Sequence, residues 1–200
     1  EIRVDMPEAQ RIKYIAADRR KKYRVAADNP QKVEILDELL AYHEGDQILI
    51  IGMYLDQLER IAERYDYPII TGKTKVVERE MLYSQFREGE VKALVVSKVA
   101  NFSIDLPDAS VAMQISGTFG SRQEEAQRLG RILRPKSDGR QVYFYSIVSK
   151  ETVDQEFSAN RQRFLTEQGY RYLILYGDEV PGALPHTQAG PEEVAESGEV

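Results

Sequence analysis

The 200-residue chain predicts an α/β fold, a parallel sheet with helices on both faces. Three observations carry that expectation. Short, nearly continuous apolar runs recur along the chain, without the polar alternation of a half-exposed strand. Amphipathic stretches with apolar residues at helical spacing separate them. There is no internal repeat, and the length suits one ordinary domain with enough material for a sizeable core.

The elements follow in order. Residues 30–42 read as a helix with Val33, Leu36, Leu39 and Leu40 turned inward. QILIIG at 47–52 is a first buried strand, followed at helical spacing by Leu55, Leu58, Ile61, Ala62 and Tyr65. PIIT at 68–71 is a second strand, and 76–86 a helix with Met81, Leu82 and Phe86 on one face. VKALVVS at 91–97 and SVAMQIS at 110–116 are the third and fourth strands. Residues 123–134 read as a helix stopped by Pro135. QVYFYSIV at 141–148 is a fifth strand, 150–167 a long helix, and YRYLILY at 170–176 adds a sixth strand.

Composition narrows the chemistry. With 42% hydrophobic and 30% charged residues the chain reads as soluble and globular. No apolar run is long enough to span a membrane, and no secretory leader is expected. The absence of cysteine excludes disulfides, thiolate metal sites and a cysteine nucleophile. Two histidines, His43 and His186, leave little for a histidine metal cluster or a triad.

The net charge of −6 misleads as a mean. Residues 177–200 hold 6 acids and no Lys or Arg, so residues 1–176 carry 27 charges of each sign. The body is therefore neutral and its cations cluster. Residues 11–24 hold 7 cations against Asp18 alone, either as a solvated helix or connector or as a nucleic-acid or partner contact. Residues 122–140 hold 6 bases to 3 acids. The division expected is a basic segment at 1–29, an α/β domain at 30–176 and an acidic, disordered tail at 177–200.

Two motifs imitate a triphosphate site. Gly72-Lys73-Thr74 ends like a P-loop, but Tyr67 stands where the first glycine is needed to let backbone amides wrap phosphate. VEILDE at 33–38 imitates a strand ending in a metal-binding Asp-Glu, but Glu34 interrupts it and its apolar positions fit a helix. The chain therefore has no triphosphate cradle and no magnesium aspartate of its own.

The strongest signal is QEEAQRLGRILR at 123–134. On a helix Gln127, Arg131 and Arg134 share one face, and Gly130 lets another backbone or a ligand approach closely. Two guanidinium forks on one face suit a transferring phosphate; the alternative is a surface pair bound to Glu124, Glu125 or solvent.

Gln127-x-x-Gly130-Arg131-x-x-Arg134 resembles motif VI of superfamily 2 helicases. VSKVANFSIDLP at 96–107, QISGTFGSR at 114–122 and QEEAQRLGRILRPK at 123–136 resemble the motif V to motif VI block of the XPB (Rad25) DNA helicase family. Phe144-Tyr145-Ser146 and RQRFLTEQGY at 161–170 resemble its downstream extension. GMYLDQL at 52–58 and TGKTKVVER at 71–79 are most similar to the bacterial branch. The resemblance covers roughly residues 30–176.

The resemblance implies a three-layer RecA-like parallel sheet, the helicase C-terminal domain. It implies that Arg134 is the arginine finger that reaches a γ-phosphate held by the opposite RecA-like domain, with Arg131 as companion and Gln127 orienting the cluster. Asp105 matches the motif V aspartate near the ribose; its other reading is a turn or cap before Pro107. Ser97 matches the motif V hydroxyl that meets a backbone phosphate. Lys98 beside it either adds a phosphate contact or faces solvent. Gly72 and Arg79 match the glycine and arginine that grip the tracking strand, against an ordinary strand-to-helix turn. Ser103 stands where many superfamily 2 members have glycine, as is usual in XPB-like proteins.

The expectation is the C-terminal half of an ATP-dependent 3′–5′ DNA helicase or translocase acting in DNA repair and inactive alone. ATP and magnesium would be bound mainly by the absent N-terminal RecA-like domain of the same polypeptide. DNA and that domain are the expected partners, with a repair nuclease as a further one, in a bacterial, nucleoid-associated, cytoplasmic protein. The alternative is a stand-alone DNA- or nuclease-binding module without catalytic activity.

Overall fold

The computed structural model describes residues 1–97, 109–117, 141–167 and 169–184. In chain order the strands are β1 (Ile2–Val4), β2 (Ile48–Gly52), β3 (Ile69–Ile70), β4 (Ala93–Ser97), β5 (Val111–Gln114), β6 (Tyr143–Ser149) and β7 (Leu175–Tyr176). The helices are α1 (Glu8–Ala16), α2 (Arg19–Ala27), α3 (Gln31–Tyr42), α4 (Leu55–Tyr65), α5 (Val76–Arg87) and α6 (Val153–Glu167).

The strands form one sheet in the order β3-β4-β2-β5-β6-β1-β7, and each neighbouring pair is parallel. The central strand β2 explains the unbroken apolar runs. Ile48 and Ile50 pack with Ile35, Leu36, Leu39, Leu58 and Ile61 of α3 and α4. Leu49 and Ile51 face the other way, with Tyr83 and Phe86 of α5. A strand buried on both faces reads as a nearly continuous apolar run.

The chain enters and leaves α4 tightly. Gly52 closes β2 where an added Cβ would lie 2.8 Å from Leu58 Cδ2 and 3.0 Å from Ser116 Oγ. Asp66 caps the far end of α4 in the left-handed region at φ 54°.

Four details depart from the expectations. First, the sheet does not begin after residue 30: β1 lies between β6 and β7, with Ile2 and Val4 in the main core. Three residues are too few to show a period, and their partners lie more than 140 positions away. Second, residues 177–184 are packed rather than disordered. A 3₁₀ turn at Gly177–Glu179 leads Val180 and Leu184 into the same core. Third, α3 buries Lys32, Ile35, Leu36 and Leu39, with Leu40 partly buried against the same core, and Val33 is not among them. Fourth, α5 buries Tyr83 and Phe86, while Met81 is 53% exposed. The expected helix at 123–134 lies outside the described residues.

Candidate nucleic-acid interface

Parallel strands all end on one edge, and open α/β sheets bind ligands along that edge. Here β4 ends at Ser97, in register with Gly52 at the end of β2. On one side β3 runs out into the turn at 71–75, and on the other β5 runs out into Ile115, Ser116 and Gly117.

Ser97 is buried at 7% exposure, and its Oγ has no hydrogen-bond partner among the described residues. The turn beside it is held by its own side chains. Thr71 N donates to Thr74 Oγ1 at 2.9 Å, and Lys73 N donates to Thr71 Oγ1 at 3.1 Å. Gly72 and Lys73 are exposed at its tip. Lys75 caps α5 without a side-chain hydrogen bond, so the first amides of α5 stay available beside two lysines.

One turn into α5, Arg79 Nη2 donates back to Thr74 O at 3.1 Å. Arg79 Nε is buried and unpartnered among the described residues. Tyr83, one turn further, buries a hydroxyl that also lacks a partner, and burial pushes its pKa up to about 12. Gln114 at the end of β5 donates Nε2 to Ser116 O at 3.1 Å and leaves Oε1 unpartnered. Buried polar groups are rarely left unpaired, which sets Ser97, Arg79, Tyr83 and Gln114 apart among the described residues.

Of the residues singled out from the sequence, the structure brings Ser97, Gly72 and Arg79 to this edge. Lys98, Asp105, Gln127, Gly130, Arg131 and Arg134 lie outside the described residues.

Local sequence reasoning missed the support beneath the edge. Lys32 and Asp154 form a buried ion pair at 2.5 Å, and Lys32 Nζ also donates to Ile115 O at 2.9 Å. The one available signal is a lysine in register with Ile35, Leu36 and Leu39 on the buried stripe of α3. A cation there needs a buried acceptor.

The family model described as ERCC3/RAD25/XPB C-terminal helicase matches residues 1–183. The chain belongs to this XPB C-terminal helicase family. It is 53% identical over 185 residues to the DNA 3′-5′ helicase XPB of Kineococcus radiotolerans, covering 92% of this chain and 33% of that protein. It is likewise 53% identical over 182 residues to the DNA 3′-5′ helicase XPB of Mycobacterium tuberculosis, covering 91% and 33%. The chain thus spans about a third of the length of these XPB relatives and corresponds to their C-terminal helicase domain.

The solved C-terminal domain of the DEAD-box protein Dbp5 shares the fold, with a TM-score of 0.64, 16% identity and 88% of each chain covered. The RecA-like helicase C-terminal fold expected from the sequence is therefore the fold found. The XPB match also begins at residue 1, which agrees with β1 as part of the sheet. Among the described residues no helix is long and apolar enough to cross a membrane.

Proposed function

We propose that this chain is the C-terminal motor half of an ATP-dependent 3′–5′ DNA helicase or translocase, working in DNA repair. The observation that carries the reading is the 53% identity to proteins named DNA 3′-5′ helicase XPB. The sheet edge supports it: a buried Ser97 hydroxyl with no partner among the described residues, an exposed Gly72 turn and an arginine at position 79 suit a strand's phosphates. In this reading Ser97, Lys98, Gly72 and Arg79 grip one DNA strand. Arg134 and Arg131 stabilise charge spreading over the transferring phosphoryl, Gln127 orients them, and Gly130 and Asp105 border the nucleotide.

Among the described residues no group of three or more His, Asp or Glu could hold a metal ion. Magnesium and most of the ATP contacts are assigned to the N-terminal RecA-like domain of the same polypeptide. Closure of the two domains on ATP would bring the arginines in, and reopening would shift the grip on DNA. DNA and that domain are the partners this reading requires.

The test measures ATPase turnover with and without DNA for the full-length protein, this chain and the two halves mixed. Turnover stimulated by DNA in the first and third, and none in the second, is expected. DNA binding without turnover in the full-length protein would overturn the motor reading and indicate a binding module.

A further inference from the structure

The first turn of α2 carries Arg19, Arg20 and Lys21 and no acid. A helix N-terminus already bears partial positive charge, so three cations there cost stability. Asp18, the N-cap, offsets part of it: its Oδ1 accepts from Lys21 N at 2.9 Å and its Oδ2 lies 3.4 Å from Lys21 Nζ. Arg19 and Arg20 are exposed and have no acidic partner among the described residues. A local rule broken without local compensation points to an external anion.

Arg24, one turn further, is committed differently. It bonds Asp28 at 2.5 Å and Asp56 at 2.6 Å, and its guanidinium sits 4.6 Å from the centre of the Tyr54 ring. This holds the β2–α4 loop against α2. Between them lies a groove of about 870 Å³, lined by Arg19, Arg20, Lys21, Tyr23, Met53 and Tyr54. Its lining joins cations to two aromatic side chains and a methionine, the combination that takes phosphates together with sugars and bases.

The groove begins where β2 ends. Met53 follows Gly52, the register partner of Ser97, and Met53 N donates to Ser116 Oγ at 2.7 Å.

We propose that this groove is a second DNA contact, in which Arg19, Arg20 and Lys21 hold backbone phosphates outside the Ser97–Arg79 track. The proposal rests on the reading that the protein works on DNA. An acidic peptide shares the charge, but the Tyr23, Met53 and Tyr54 surface favours nucleic acid.

The test uses the full-length protein carrying R19S/R20S, with R163S/R171S as a control that removes two exposed cations elsewhere. Fluorescence anisotropy with labelled duplex DNA is read over a salt series. The slope of log K against log salt should become shallower by about 1.8, since each lost phosphate contact contributes about 0.9. At fixed moderate salt, affinity should fall about tenfold, as should the potency of DNA in stimulating turnover, with maximal turnover unchanged. An unchanged slope, or an equal change in the control, overturns the proposal. So does unchanged DNA binding with lost binding of a polyglutamate peptide. If the unsubstituted protein lacks DNA-stimulated turnover, the motor reading fails, while the salt slope still decides the groove.

Discussion

Lys32 Nζ lies 2.5 Å from Asp154 Oδ2, joining two side chains 122 positions apart that are 2% and 6% exposed. Because Lys32 also holds Ile115 O, the pair ties α3, the end of β5 and the start of α6 together. It thereby sets Ser116 and Gly117, the last described residues before the arginine-rich stretch.

Breaking this pair from one side should cost more than removing it. Lys32→Met leaves Asp154 buried without its cation and should destabilise the fold by about 3–5 kcal/mol. Lys32→Met with Asp154→Leu should recover most of that loss in urea unfolding. Equal losses in the single and double variants would show that packing, not charge, is at stake.

Gly52→Ala should destabilise by about 1–3 kcal/mol through overpacking. The new Cβ would sit 2.8 Å from Leu58 Cδ2, 3.0 Å from Ser116 Oγ and 3.2 Å from Ile115 Cγ1. Shortening the neighbour with Leu58→Val should make the double variant less unstable than the two single losses combined. Strict additivity would contradict the contact.

His43 gives the fold a pH dependence. Its ring is buried between Asp46, 2.9 Å from Nδ1, and the Tyr145 hydroxyl, 2.9 Å from Nε2. Burial lowers its pKa below the ordinary 6.5, against the opposing pull of Asp46. As pH falls through 6.5 the unfolded chain takes up a proton that the native ring resists. The stability is therefore complete above that value and is lost on acidification towards the native pKa. Between about pH 7 and pH 5, the urea midpoint should fall less for His43→Gln than for the unsubstituted protein.

Ser97→Ala separates function from folding. The Ser97 hydroxyl has no partner among the described residues, so its loss should leave stability within about 0.5 kcal/mol or raise it. DNA affinity should nevertheless fall several-fold, by about 1 kcal/mol, the net worth of one hydrogen bond. Unchanged affinity would remove Ser97 from the strand track. Arg79→Ala, which also frees Thr74 O, should weaken DNA binding and loosen the 71–75 turn together.

Arg134→Ala in the full-length protein should lower ATP turnover by orders of magnitude, up to about 10³–10⁵, with DNA binding largely kept. Turnover within a few-fold of the unsubstituted protein would move the finger to another residue. Arg131→Ala is the natural comparison.

The central frame is legible in the sequence because each part of it is a local pattern. ILIIG of β2 and ALVVS of β4 are five-residue strands buried throughout, and their composition shows it. Leu58, Ile61 and Ala62 reveal the inner face of α4 in the same way. The candidate site is legible at Ser97, Gly72 and Arg79 only through family motifs. Nothing local shows that a serine ending a strand is buried without a partner.

Fold class, the confinement of the net negative charge to residues 177–200 and the family can all be read without coordinates, since composition, periodicity and motif spacing are local records. Tertiary structure alone decided that Ile2 and Val4 belong to the sheet core, that Lys32 finds Asp154, and that α2 and Tyr54 enclose a groove. Each of those depends on residues far apart in the chain, which meet only because parallel strands need long crossovers. Such contacts leave no repeating mark in the sequence between them.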